Sequence, residues 1–538
     1  MSQRHAVPVR GLDLLDVINP PKQADTVNFG ARFGRMFADL PAATFGKTEG
    51  EVFKNLELLA ANMVASFDAP KDGPDNEESG IPSLYTYFGQ FIDHDLTFDP
   101  DGSFQKQKDP NATEDFRTPA FDLDNIYGRG PGDQPYLYDE DGKHFLLGDP
   151  LMMGNPGARD LQRNGSGRAL IGDPRNDENA IVSQLQGLFL RFHNRVVDEN
   201  PTLQFEKVQE IVRQHYQYLV MYDFLPRIVI ASVLNKLKEN GIYKSDLLTI
   251  LKPAPIPFMP VEFSAAAYRL GHSMVRPGYR LNDAILLPIF PNPLGENNEL
   301  FPPMPEGLVG FRRMVNDWGI DWARFIDLDP SLPYGKDPDD IEDDKNLDSD
   351  GRKKEKRPNF RRLQFAYRID TSIVDPLGNL PKSVTGDQPP QKVPSLALRN
   401  LLRGVQFGLP SGEKVAEKLG VAPIDVVIGK GLKPPDPTEK PISINDIKGI
   451  TEGIFDKNTP LWTYILAEAM THQVEVSIPV ARPARKIWTP QLGPVGGRIV
   501  AEVFLGLAFS GRAPFNPAWK PATPNYTLKD FVRFALGQ

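Results

Sequence analysis

Apolar residues recur at helical spacing along several long stretches of this chain, and they rarely alternate as strand residues do. Ile181, Leu185, Leu188, Phe189, Phe192 and Val196 fall three or four apart, which lines one face of an α-helix. The same periodicity predicts helices over 181–200, 205–224, 227–240, 260–275, 462–469 and 496–509. Strand-like runs are short and isolated, and the strand–helix alternation of a parallel sheet is missing. The expected fold is therefore mainly α, with long loops and little strand.

Polar groups interrupt this pattern at one place in particular. The segment 84–98 is apolar and aromatic, yet it carries Gln90, Asp93, His94 and Asp95. In a helix, Gln90 and His94 lie four apart and share a face, with the two carboxylates on either side of the histidine. Ionisable groups in an apolar helix are costly unless partnered, so the segment calls for either a hydrogen-bond network or bound chemistry. Four further signals follow. Thr118, Ala120, Asp122 and Asp124 offer oxygen donors at alternate positions of a loop, which suits a hard cation such as calcium. Arg175 and Glu178 stand three apart at a helix start. His272 sits on an apolar helix behind Gly271, which leaves room for a flat ligand. Asn400 and Arg403 share a helical face. Each signal alone is explained at least as well by structure, since a lone histidine on an apolar face is usually a satisfied core residue.

Composition narrows the field. The chain has 538 residues, 40% hydrophobic and 24% charged, which suits a sizeable globular core. A net charge of −9 argues against non-specific nucleic-acid binding. The absence of cysteine removes disulfides, thiolate metal ligands and thiol catalysis. No apolar run reaches bilayer length, so no transmembrane segment is expected. The N-terminus shows no signal-peptide core, which leaves the cytoplasm by default or export by a non-classical route. Oligomeric state is not readable. An acidic block over 337–350 followed by a basic one over 352–362 reads as a surface insertion. Its Asn346–Gly351 run opens like a helix–loop–helix calcium site, but Arg357 stands where the bidentate glutamate is needed.

Taken in chain order, Gly89–Asp95, Thr118–Asp124, Gly172–Glu178, Tyr268–His272 and Asn400–Arg403 resemble the animal-type haem peroxidases of the peroxidase–cyclooxygenase superfamily. Leu188–Arg195 and Arg280–Asn282 add to the likeness, and Thr459–Trp462 and Leu492–Val500 look like its bacterial branch. The resemblance runs from about Asn28 onward. It implies one peroxidase domain over 28–538 after an N-terminal extension over 1–27, with haem held between central helices.

By that resemblance His94 is the distal base for hydrogen peroxide, Gln90 holds a water or the peroxide, and Arg175 stabilises charge as the O–O bond breaks. His272 is the ligand to haem iron, its second nitrogen facing the side-chain oxygen of Asn400. Arg269 and Arg403 pair with the haem propionates. Asp93 and Glu178 match the carboxylates that ester-link to haem methyls, so the cofactor is expected to be an ester-linked derivative of haem b. Asn179 stands where a third link would need methionine. Asp95, Thr118, the Ala120 carbonyl, Asp122 and Asp124 are expected to bind one calcium ion. The implied partners are hydrogen peroxide and a small reductant such as a halide or phenol. Two alternatives stand beside this reading. One is a fatty-acid oxygenase, whose radical tyrosine would fall three residues before His272, where Arg269 stands and Tyr268 is one residue off. The other is a catalytically silent haem-binding scaffold. His193 is read as structural.

Overall fold

A computed structural model describes residues 33–66, 76–97, 119–255, 257–291, 307–328, 363–381, 393–432, 440–478, 485–511 and 513–538. The extension over 1–27, Thr118 and the insertion over 337–362 lie outside the described residues.

The expected helical character holds. Among the described residues the longer helices are α1 (Glu49–Asn62), α2 (Leu84–Leu96), α3 (Ala180–Glu199), α4 (Phe205–Leu219), α5 (Leu396–Gln406), α6 (Leu461–Thr471), α7 (Pro494–Ala508) and α8 (Leu528–Leu536). The described strands are short and pair two at a time. Glu78–Pro82 runs antiparallel to Phe365–Tyr367, and Gln473–Ile478 is antiparallel to Arg485–Pro490.

Helix α2 is central because its sequence is apolar on nearly every face: Leu84, Tyr85, Phe88, Phe91, Ile92 and Leu96 are all buried. Phe91 stacks on Phe189 of α3 with centroids 4.3 Å apart, and Tyr216 of α4 meets Phe88 edge-on at 6.2 Å. Such ring pairs add to the area term and fix how α2, α3 and α4 approach one another. Asn179 caps α3 by accepting from the N–H groups of Ile181 and Val182. α4 runs on through one π-helical turn, Val220–Phe224, which turns Asp223 inward. There Asp223 accepts from the Tyr85 hydroxyl (2.7 Å) and the Leu528 N–H (2.8 Å), tying α2 to α8. Glu468 of α6 accepts from the N–H groups of Val495 and Gly496, filling the N-terminus of α7.

Two predicted helices are corrected. The stretch 227–240 breaks after Ile228 and Leu234 and ends in a two-residue hairpin, Lys238–Glu239 against Ile242–Tyr243. The stretch 260–275 splits into Val261–Ser264 and a 3₁₀ segment, Ala267–His272, because Ala266 leaves helical geometry (φ −133°, ψ −73°). The described helices include none long and apolar enough to cross a membrane.

Candidate active site

α2 brings Gln90 and His94 to one face, as their spacing requires. His94 is buried, with Nδ1 2.7 Å from the Asn176 Oδ1 and Nε2 3.8 Å from the Glu178 Oε1. Gln90 donates from its amide to the same Glu178 oxygen and accepts from the Asn179 Nδ2 at 3.2 Å. Burial pushes the Glu178 carboxyl up to about 8; Arg175 opposes this, while Asp173 and Asp93 add to it. Near neutral pH Glu178 is thus a neutral acid beside the imidazole.

Arg175 lies in a 3₁₀ turn, Pro174–Asp177, that precedes α3, and Glu178 caps the turn's C-terminal end. Asp173 caps the turn through the Arg175 N–H and also binds the Arg175 guanidinium at 2.8 Å. The same guanidinium donates to the carbonyls of His94 (3.0 Å) and Thr97, holding the C-terminal end of α2. Burial works against the Arg175 charge, but Asp173, then Asp93 and Glu178, outweigh it and keep the group cationic. Arg175 is therefore a clamp on α2 as well as a cation. Behind the turn, Arg163 binds Asp160 and Asp177 together at 2.7–2.8 Å, all three nearly dry. The N–H groups of Gly310 and Phe311 meet the carbonyls of Glu178 and Asp177.

His272 keeps some accessible surface, yet its surroundings are dense. Burial, followed by the Arg269 and Arg403 guanidiniums, pushes its pKa down to about 3, so the ring is neutral. A Cβ added at Gly271 would meet nothing within 4 Å, so no other element packs against the chain at that glycine. The Asn400 contact is present at 2.8 Å to Nδ1, but it is the amide nitrogen that faces the ring, not the oxygen. The two amide ends exchange by a half-turn of the side chain. Arg269 donates from Nε to the Ser264 carbonyl at 2.9 Å, and its own carbonyl accepts from the Trp462 Nε1 at 3.3 Å. A small cleft runs past Asn400 and is lined by Leu401, Gly404, Leu461 and Trp462, among others.

The proposed calcium loop differs from the extended chain expected. Leu123 is left-handed (φ 59°), and the chain turns into a short helix at Asp124. Asp122 accepts from the Asp124 N–H at 3.1 Å, and Asp95 accepts from the Leu123 N–H at 3.3 Å. Burial, then Asp124 and Asp95, raise the Asp122 carboxyl well above its usual range, so these acids share one region. Among the described residues, however, no group of three histidines or acids is close enough to hold a metal ion. His193 lies apart from this site: its Nδ1 is 3.0 Å from the Tyr127 hydroxyl and its Nε2 2.8 Å from the Lys143 carbonyl.

Residues 110–294 match the animal haem peroxidase family. A peroxidase-like protein of Margaritifera margaritifera is 24% identical over 295 residues, 42% of this chain and 35% of its own length. Thyroid peroxidase of Canis lupus familiaris is 29% identical over 162 residues, 28% of this chain and 15% of its own. The chain thus spans about a third or less of these curated relatives. Peroxidase A from Dictyostelium discoideum shares the fold, with a TM-score of 0.51 at 16% identity, over 89% of this chain and 85% of that one. These matches make residues 110–294 similar to the animal haem peroxidases of the peroxidase–cyclooxygenase superfamily. That superfamily consists of oxidoreductases, and the animal haem peroxidase match implies haem as the cofactor.

Proposed function

We propose that the chain is a haem peroxidase that reduces hydrogen peroxide and oxidises a small reductant. The observation that carries this reading is the pairing of two imidazole sites of different character. His94 is held on one nitrogen and has the other near Glu178, which Gln90 also binds. His272 is held on one nitrogen by Asn400 and lies near two guanidiniums that, with burial, keep its ring neutral. These residues fit haem: a neutral histidine can ligate iron, and Arg269 and Arg403 supply the positive charge that two propionates need. Bound haem would supply the two-electron redox chemistry.

The protein's part follows from the geometry. Nε2 of His94 can take a proton from peroxide and return it to the departing oxygen, while the Gln90 amide orients the small molecule. Arg175 keeps a fixed positive charge behind the pocket and fixes the end of α2. Asp93 and Glu178 are our candidates for ester links to haem. For Glu178, a link would replace a carboxyl that burial already disfavours as a carboxylate. Asp95, Asp122 and Asp124 suit calcium in charge but not in described geometry, so no step is drawn through the ion. Tyr268 donates its hydroxyl to the Gly89 carbonyl at 3.1 Å, and this commitment gives the oxygenase reading no support.

The test is an absorption spectrum of haem-supplied protein before and after one equivalent of hydrogen peroxide. The expected result is a Soret band that shifts within seconds and recovers when a phenol is added. A band indifferent to peroxide would refute the reading. Haem that leaves completely in acidified organic solvent would refute the ester links alone.

A further inference from the structure

The contact between His94 and Asn176 is part of a longer chain that ends inside α3. Asn176 and Gln186 both have 0% exposure, and His94 has 4%. Asn176 donates from Nδ2 to the Gln186 Oε1 at 2.8 Å, which turns its own Oδ1 to His94 Nδ1 at 2.7 Å. An amide is a donor at one end and an acceptor at the other, so fixing one end fixes both. We infer that Gln186 and Asn176 are positioning residues that set the tautomer of His94, keeping its proton on Nδ1 and the bare Nε2 toward the pocket.

This inference rests on the peroxidase reading and deepens it. A distal base with its proton on Nε2 could not accept one from peroxide there. The lock is non-local, because Asn176 comes from the 3₁₀ turn and Gln186 from the second turn of α3, while His94 is on α2. The charged groups around His94 are Glu178 and Arg175 with Asp173 from the turn, and Asp93 and Asp95 from its own helix. The Asn176 amide oxygen lies 2.7 Å from Nδ1, within direct hydrogen-bond reach, and so sets the tautomer. The arrangement leaves the Gln186 Nε2 without a described partner, which a reversed chain of donors would avoid. Polarity is therefore the point to test.

The experiment measures cyanide association with the haem-loaded full chain by stopped-flow absorbance at one pH, alongside ¹⁵N spectra of the histidine rings. Cyanide enters as hydrogen cyanide and needs a base for its proton, without turnover. Asn176→Asp keeps an acceptor and loses the donor, and it should stay within about threefold of the unaltered protein. Asn176→Leu keeps the bulk and loses the acceptor, and it should slow association by about 100-fold, the low end of what a positioned base contributes. Its His94 proton should no longer be confined to Nδ1. If Asn176→Asp is as slow as Asn176→Leu, the polarity is reversed and the inference falls. It also falls if Asn176→Leu is as fast as the unaltered protein. Should Asn176→Leu fail to take up haem, Gln186→Leu replaces it and must be several-fold slow while Asn176→Asp stays fast. His94→Ala run in parallel separates the two claims, since equal rates there would overturn the peroxidase reading itself.

Discussion

Glu178 holds a proton where an ordinary glutamate would not, and this has a measurable consequence for stability. Its folded-state pKa is pushed from 4.5 to about 8, chiefly by burial. Below pH 4.5 the group is neutral folded and unfolded, and it contributes nothing. As pH rises from 4.5 to about 8, the unfolded chain releases a proton that the folded chain keeps, so stability falls over that window. At about 1.4 kcal/mol per pH unit, the penalty is roughly 3 kcal/mol at pH 7 and about 4–5 kcal/mol above pH 8. Glu178→Gln removes the charge and with it the penalty. With an unfolding entropy of about 2.1 cal/mol/K per residue over 538 residues, the variant should melt about 3 °C higher at pH 7. The assay is denaturant and thermal unfolding of the haem-free chain, wild type against variant, at pH 5 and pH 8. The reasoning is refuted if the difference between the two proteins is the same at both values. A gain confined to the higher pH would show that the site keeps a destabilised acid, the kind of cost active sites commonly carry.

Other residues make equally direct predictions. Arg163→Met strands Asp160 and Asp177 in a dry environment and should cost about 3–5 kcal/mol, more at pH 8 than at pH 5 because the carboxylates can then no longer neutralise by taking up protons. Unfolding at the two pH values checks this, and Asp177→Asn in the same background should recover part of the loss. Gly310→Ala would set a Cβ 1.9 Å from the Asp177 carbonyl oxygen and must push the turn bearing Arg175 and Glu178. A loss of about 1–3 kcal/mol is expected, with a slower peroxide response at an unchanged Soret position; stopped-flow absorbance and a melt separate the two effects. Glu468→Ala strips the N-terminus of α7 of its acceptor and should cost about 2–4 kcal/mol in the same unfolding assay.

What the sequence disclosed follows the range of the interactions. The amphipathic stretches 181–200 and 205–224 were legible because helical burial writes a local period into the chain. Gln90 and His94 were legible for the same reason, being one turn apart on one helix. The stretch 227–240 misled because its apolar spacing continued while Asn240 and Gly241, both at positive φ, turned the chain into a hairpin. That Asn-Gly pair is a hairpin signal and could have been weighed. At 260–275 the break falls at Ala266, in a run of alanines with no spacing to announce it. Asn176, Gln186 and Asp173 escaped notice as site residues because their roles depend on contacts across the fold: Asn176 meets His94 over 82 positions of sequence. Asp173, next to Arg175 but one, was the one of the three with a local signal, since an aspartate before Pro174 is a common cap.

The distribution of charge around His94 argues for a small neutral oxidant. Arg175 spends its hydrogen bonds on Asp173 and on the carbonyls that end α2, and Arg163 neutralises Asp160 and Asp177 behind the same turn. Glu178 is neutral near pH 7. The groups facing a molecule in the pocket are the imidazole Nε2 and the protonated carboxyl, with the Gln90 amide bound to that carboxyl. All of them exchange hydrogen bonds or protons without needing a counter-charge. Hydrogen peroxide, small and neutral, fits that set, whereas an anionic carboxylate substrate would find no unpaired cation in the distal arrangement described. The paired charges are there already before any ligand arrives, so they cost no reorganisation when the reaction begins.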